Sequence, residues 1–100
     1  MKFQIELTNG AIKNSYINLR GHLDKFLDCQ LSCAQTNKQG QTLKLDLGGG
    51  DIIETDVCSK YKRFRNRTAL NILNMRHDFE IGDKLTIEQC SPEIWKVYKQ

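Results

Sequence analysis

Long apolar runs are missing from this sequence, and no stretch approaches the roughly 18 apolar residues that a membrane-spanning helix needs. The opening MKFQIEL turns acidic at Glu6, before an apolar run of signal-peptide length is reached. Both absences argue against insertion into a membrane and against export, so we expect a cytoplasmic protein. A chain of 100 residues with 39% hydrophobic and 27% charged residues has the size and balance of one folded domain, residues 1–100.

Closely spaced cysteine pairs are scarce. The chain has four cysteines, Cys29, Cys33, Cys58 and Cys90. The first two form C-x-x-x-C without a second close pair, whereas structural zinc sites usually show two such pairs. The alternative is a metal site made of Cys29 and Cys33 with His22, or of Cys58 and Cys90 with His77. We predict buried, reduced thiols, with no disulfide, no metal and no cofactor.

Signatures of catalysis are also missing. The triplet Gly48-Gly49-Gly50 lacks the Lys-Ser/Thr and the following helix of a nucleotide-binding loop, so it predicts a hairpin turn. No spacing favours a nucleophile beside a histidine that a carboxylate orients. Asp51, Glu54 and Asp56 offer carboxylates for a nuclease metal, but Glu54-Thr55-Asp56 lacks the following lysine of the commonest nuclease signature. We therefore expect no catalysis by this chain alone.

Alternation of apolar and polar residues predicts that most of the chain is β-strand. The predicted strands are residues 3–7, 16–19, 41–47, 51–57, 84–88 and 94–98. A turn is expected at Thr8-Asn9-Gly10, and the glycine triplet is expected to join the third and fourth strands into a hairpin. Gly82-Asp83 is expected to turn the chain into the fifth strand.

Two short helices complete the prediction. The first covers residues 20–27, and the second begins with Thr68 as N-cap and ends near residues 77–78. Six or seven strands with two short helices and no long parallel crossover indicate a mostly β, small mixed barrel. The predicted core includes Leu43, Leu45, Leu47, Ile53, Leu70, Leu73, Leu85 and Ile87.

Acidic residues are absent from residues 57–77, although basic residues are concentrated there. The stretch SKYKRFRNRT holds five of them, Lys60, Lys62, Arg63, Arg65 and Arg67. Such a run is usually a solvated loop, yet here arginine dominates and Tyr61, Phe64 and Asn66 are interleaved. Arginine suits phosphate oxygens and guanine edges, and asparagine suits adenine. The run therefore predicts nucleic-acid binding, with Phe64 as an inward anchor.

The order of these pieces resembles the DNA-binding pseudobarrel family, which includes plant B-three domains and the recognition or effector domains of bacterial restriction endonucleases. The resemblance runs nearly end to end, through IELTNGAIKNSYINLRGHLDKF, GGGDIIETDVCSKYKRFRNRTAL and FEIGDKLTIEQ. It implies a seven-stranded open pseudobarrel whose two arms grip the major groove of double-stranded DNA.

In the endonucleases of this family the module is usually fused to a nuclease, so the resemblance implies a nuclease domain or subunit as a second partner. No nuclease-like part occurs within these residues. The resemblance therefore leaves open whether the chain acts as an excised domain, as a separate subunit of a restriction-modification enzyme or as a free regulator.

Carried onto this chain, the resemblance makes residues 8–15, with Arg20 nearby, the first arm and residues 59–67 the second arm. The implied DNA-binding residues are Thr8, Asn9, Lys13, Asn14, Ser15, Arg20, Ser59, Lys60, Tyr61, Lys62, Arg63, Arg65, Asn66 and Arg67. Phosphate contacts are expected from Lys13, Lys60 and Lys62. Candidates for base edges are Asn9, Asn14, Arg63, Arg65, Asn66 and Arg67. Alternatively, Arg65 or Arg67 holds the loop by pairing with Asp56 or Asp83.

Two other classes of function stay open at this stage. A small RNA-binding barrel would stack aromatic side chains on single-stranded bases, so it would bind single-stranded RNA as tightly as duplex DNA or more tightly. A protein-interaction module would bind its partner with an affinity that is insensitive to salt and to loss of the basic run.

Overall fold

The computed structural model describes residues 1–26, 31–32 and 41–99 of the chain. Its elements are β1 (Lys2–Glu6), α1 (Asn9–Asn14), a 3-10 helix (Leu23–Lys25), β2 (Leu31–Ser32), β3 (Leu43–Asp46), β4 (Ile52–Thr55), β5 (Val57–Cys58), β6 (Arg63–Phe64), α2 (Thr68–His77), β7 (Lys84–Ser91) and β8 (Ile94–Lys99). The predictions for Cys29 and Cys33 fall outside the described residues.

The described strands form two open sheets. The larger has the order β1-β7-β8-β3-β4, and the smaller has the order β2-β5-β6 with two residues in each strand. Most neighbours are antiparallel, but β3 runs parallel to β8 and β2 runs parallel to β5. The predicted fold class, a mostly β open barrel-like fold with two helices, is confirmed. The two parallel pairings are a feature that the sequence did not indicate.

The core lies between the inner face of the larger sheet, the smaller sheet and α2. Seven of the eight predicted core residues are buried, and Ile53 is half-buried against them. Leu43, Leu45 and Leu47 point inward because side chains alternate along β3. An aromatic group fills the centre, where Trp95 contacts the rings of Phe3 and Phe26.

The hairpin between β3 and β4 turns at the glycine triplet, as predicted. Gly48, Gly49 and Gly50 all have positive φ, a region that side chains with a Cβ rarely adopt. Arg76 of α2 fixes this turn. Its guanidinium donates to the carbonyl oxygens of Leu47 (2.8 Å) and Gly48 (3.1 Å) and pairs with Asp51.

Replacing Arg76 with alanine is expected to lower the free energy of unfolding by about 1–2 kcal/mol, because two charge-assisted bonds to carbonyls and an ion pair are lost at a partly exposed site. Chemical denaturation measures the change. The matched control is Met75→Ala, one position earlier on α2, where the side chain is 88% exposed. If Arg76→Ala were as stable as Met75→Ala, the turn would not depend on this side chain.

Three local predictions for the first third of the chain are wrong. Thr8-Asn9-Gly10 does not form a turn but starts α1, for which the Thr8 hydroxyl accepts a capping bond from the Ala11 amide. Within the described part of the chain, residues 16–19 form no strand and only one bridge, between Asn18 and Arg63. The helix expected over residues 20–27, of which the structure describes residues 20–26, is reduced there to the 3-10 turn Leu23–Lys25.

The helix predicted after the basic run is confirmed as α2, but its start differs in detail. Arg67 is the N-cap, and Thr68 is the first helical residue rather than the cap. The Oδ1 atom of Asn66 accepts a bond from the Thr68 amide at 3.0 Å, so Asn66 satisfies this end of the helix. Within the described part of the chain, no helix has the length and apolar composition to span a membrane, and α2 itself has 10 residues.

Candidate nucleic-acid interface

The basic run folds into a tight β-hairpin made of β5, residues 59–62 and β6. Val57 pairs with Phe64 and both side chains are buried, so Phe64 is the inward anchor that the sequence predicted. Cys58 pairs with Arg63 on the other face of the ladder. The Lys62 amide donates to the Cys58 carbonyl at 2.7 Å, and Lys62 has a left-handed φ of 56°. Backbone bonds and the Phe64 anchor therefore fix the shape of the loop.

The segment that follows β6 is tied to the end of β4. The Arg65 guanidinium lies 3.1 Å from the carboxylate of Asp56, which is 2% exposed. The Arg65 amide also donates to the Asp56 carbonyl. The predicted alternative for Arg65 is thus confirmed with Asp56 as its partner, whereas Asp83 lies near Lys99. Arg65 is half-exposed, so part of its side chain still faces solvent.

The Asn66 side chain is also used within the protein. Its amide nitrogen donates to the Glu54 carbonyl at 3.0 Å, while its oxygen caps α2. A base edge would compete with both bonds, and breaking them would free the start of α2. The structure therefore places Asn66 beside the basic hairpin as a residue that joins two elements.

The first predicted arm is α1 with its two caps, not an extended loop. The Thr8 hydroxyl caps the start of α1, and the side-chain amide of Asn14 donates a hydrogen bond to the Gly10 carbonyl. Ser15 ends the helix in a left-handed backbone conformation. The Ser15 hydroxyl bonds Asn71 of α2. Among the described residues, neither Asn9 nor Lys13 has a side-chain partner, and both are exposed. Lys13 is thus the residue of this segment most available to an anion.

The chain after α1 packs directly against the basic hairpin. The guanidinium carbon of Arg63 lies 4.9 Å from the centre of the Tyr16 ring and 4.9 Å from the centre of the Tyr61 ring. The Leu19 amide donates to the Lys62 carbonyl at 2.7 Å. The structure therefore brings the end of the first segment and the second segment together at Arg63.

Tyr16 is a site residue that the sequence analysis missed. It lies in a stretch with alternating polarity, which indicated a strand and gave it no contact with the basic run. Its proximity to Arg63 depends on the Asn18–Arg63 bridge, which joins residues far apart in sequence. Its position within residues 7–23, which also contain no acidic residue, is the one signal that could have suggested it.

Five exposed cations of the predicted site have no carboxylate within ion-pair distance in the described ranges. They are Lys13, Arg20, Lys60, Lys62 and Arg67. The Lys60 ammonium lies 5.3 Å from the centre of the Tyr61 ring, which attracts a cation but does not neutralise it. Lys60 and Lys62 lie on the basic hairpin and Arg67 follows it at the start of α2. Their like charges repel each other, so this surface favours an anionic partner.

The outer face of the larger sheet has a different charge pattern. Across neighbouring strands, Lys2 lies opposite Glu88, Glu88 lies opposite Lys96, and Lys96 lies opposite Asp46. Opposite charges in register neutralise each other over this face. The excess positive charge of the fold is therefore concentrated on the basic hairpin rather than spread evenly.

Arg20 lines a shallow groove with Asn18, His22, Gln4 and Glu6. The Asn18 side chain accepts a bond from the Arg20 amide at 2.8 Å. Burial, together with the charge of nearby Lys25, lowers the pKa of His22 below its usual value, against the opposing effect of Asp24. The His22 ring is therefore neutral at pH 7 and adds no positive charge beside Arg20.

The candidate nuclease carboxylates do not gather into a metal site. Asp51 pairs with Arg76 and Asp56 with Arg65. In residues 1–26, 31–32 and 41–99, no three His, Cys, Asp or Glu side chains are placed to hold one metal ion. Cys58 and Cys90 are free thiols, but the prediction of burial is wrong for both, because Cys58 is half-buried and Cys90 is exposed near the end of β7.

The fold is similar to that of the N-terminal domain of Helicobacter pylori LlaJI.R1. The similarity covers 99% of this chain and 86% of that one, with a TM-score of 0.61 and 10% sequence identity. Neither a protein-family model nor the sequence of a curated protein matches this chain. At 10% identity, the similarity to LlaJI.R1 shows a shared fold over nearly the whole chain.

Proposed function

We propose that this protein binds double-stranded DNA in a sequence-specific manner, with residues 8–16 and 59–67 gripping the major groove. The observation that carries the proposal is the basic hairpin with the start of α2 that follows it, where the exposed cations Lys60, Lys62 and Arg67 have no carboxylate partner in the described ranges. A duplex supplies the regular array of phosphates that such a surface favours. Its major groove also accepts a two-stranded β-ribbon.

The cations divide into two roles. Lys13, Lys60 and Lys62 are compact charges on exposed positions, which suits contacts to phosphate oxygens that orient the protein on the duplex. Arg67 stands at the N-cap of α2, where the helix dipole also favours a phosphate. Asn9 and Arg63 are the remaining candidates for base edges, because Asn14, Arg65 and Asn66 already make internal bonds.

We propose that the chain binds without chemistry of its own and serves as the recognition domain or subunit of a restriction-modification enzyme. The likeness of its fold to a domain of a restriction-system protein supports this role. Cleavage would then come from a nuclease domain or subunit that acts with it. The ion pairs of Asp51 with Arg76 and of Asp56 with Arg65 leave these carboxylates less available to a nuclease metal.

Binding of single-stranded RNA is a second candidate, because the Tyr61 ring is 58% exposed beside Lys60 and Arg63. Aromatic rings next to cations are the usual platform for unpaired bases. A base stacking on Tyr61 would have to share the ring with both cations, which favours the duplex.

Selection of bound sequences from random duplexes tests the proposal. We expect a short preferred site, tighter binding to that duplex than to single-stranded RNA, and an affinity that falls as salt rises. The slope of log K against log salt should have a magnitude of about 0.9 per phosphate contact. An RNA preference would favour the second candidate. An affinity that does not respond to salt would rule out both.

A further inference from the structure

The Arg63 side chain lies close to two aromatic rings. Its guanidinium carbon lies 4.9 Å from the centre of the Tyr16 ring, in the chain after α1, and 4.9 Å from the centre of the Tyr61 ring, in the basic hairpin. A guanidinium is planar and stacks on aromatic faces, so two rings limit the planes that it can adopt. This arrangement orders a long side chain that would otherwise sample many rotamers.

The backbone of Arg63 is fixed as well. It pairs with Cys58 across the basic hairpin and forms a bridge with Asn18 on its other side. The next residue, Phe64, is 1% exposed in the core. A side chain that reads a base must be attached to regular secondary structure and ordered by contacts with neighbouring residues, and Arg63 meets both conditions.

The donors of this guanidinium have no protein acceptor among the described residues. Arg65 pairs with Asp56 and Arg76 pairs with Asp51 and two carbonyls, but Arg63 forms neither an ion pair nor a hydrogen bond from its side chain there. The two rings contact the group without accepting its N–H bonds. The fold thus orders the Arg63 side chain without consuming its hydrogen bonds.

We propose that Tyr16 and Tyr61 are positioning residues that hold Arg63 to read one guanine in the major groove, an inference that rests on the proposed function. Guanine presents two acceptors, O6 and N7, on that edge, and a guanidinium edge donates to both. Adenine presents one acceptor and one donor there, so it satisfies only part of Arg63. The preferred site should therefore contain a guanine whose recognition depends on Arg63.

The first test replaces each guanine of the selected duplex in turn, exchanging its G·C pair for A·T. With the wild type, one replacement should weaken binding by roughly 5- to 150-fold. With Arg63→Ala, that same replacement should have little further effect. The control is Arg67→Ala, which should weaken the original and the replaced duplexes alike and keep the preference.

The second test concerns the rings. Tyr61→Leu should reduce the preference for that guanine, whereas Tyr61→Phe should keep it, because stacking needs the ring and not the hydroxyl. Tyr61 is 58% exposed, so its replacement leaves the core untouched. Tyr16→Leu and Tyr16→Phe repeat the comparison on the other ring, with the melting temperature showing whether each variant folds.

The outcomes separate the two proposals. If the wild type binds no duplex, the proposed function and this inference both fail. If it binds a preferred duplex but Arg63→Ala keeps every base preference, the inference is overturned and the proposed function stands. If Tyr61→Phe loses the preference as fully as Tyr61→Leu, the stacking role of the ring is overturned.

Discussion

Duplex DNA binding should fall by roughly a hundredfold or more when Lys60, Lys62, Arg63 and Arg67 are all replaced by alanine, because phosphate contacts and a base contact are lost together. Three of these side chains are exposed and Arg63 is half-buried, so the fold should survive. If the other three contact phosphates, the magnitude of the salt slope should drop by about 2.7. Affinity measured across a range of salt gives both numbers.

A matched control variant tests whether binding depends on where the basic residues lie or only on the net charge of the protein. Replacing Lys2, Lys44, Lys84 and Lys96 with alanine removes four charges from exposed positions of the larger sheet. Both variants change the formal net charge from +3 by the same four units, to −1. The sheet variant should bind nearly as the wild type does. Equal weakening by both variants would show that only overall charge matters and would contradict the proposed interface.

Leu45→Ala is expected to lower the free energy of unfolding by about 2–5 kcal/mol, the cost of removing a buried leucine side chain and leaving a cavity. Leu45 is 0% exposed on β3, with Ile53 beside it on β4 and Trp95 on β8. A domain is typically stable by only about 5–15 kcal/mol, so much of this protein should be unfolded near its working temperature. Chemical denaturation measures the loss.

The control for this core position is Lys44→Ala, the preceding residue on β3, whose side chain is exposed. Its effect should stay within about 0.5 kcal/mol, because surface replacements rarely cost more. If Leu45→Ala unfolded at the same denaturant concentration as Lys44→Ala, the packing of β3 between β4 and β8 would be wrong.

The larger sheet was predictable because its strands have one buried face. Alternation gave β1, β3, β4 and the greater part of β7 and β8, and the glycine triplet marked the hairpin turn. Alternation carries no information about which strands become neighbours. The parallel pairing of β3 with β8 therefore could not be read from the sequence, since it joins segments separated by five other elements.

Short elements were harder because local propensity is weak compared with tertiary contacts. The helix α1 has six residues and includes Asn9 and Gly10, which resemble a turn. Its stability comes from the Thr8 cap and from burial of Ala11. Ile17 and Leu19 alternate as in a strand, yet they are buried without ladder pairing of their own.

The candidate site was predictable as a set of charges but not as an arrangement. The acid-free run located the basic hairpin, and Phe64 within that run is buried, as predicted. The ion pair of Arg65 with Asp56 was one of two stated alternatives, and only geometry decides between them. The contact of Tyr16 with Arg63 depends on the fold of the whole chain, so no local pattern encodes it.

The proposed interface consists of residues 8–16 and 59–67, which we expect to bind duplex DNA together. Its most direct test is a map of backbone amide chemical shifts as the selected duplex is titrated into isotopically labelled protein. We predict that the largest changes fall in those two segments, with Lys13, Tyr61 and Arg63 among them, and that the outer face of the larger sheet is unaffected. Changes centred on Lys44 and Lys96, or no changes at all, would contradict it.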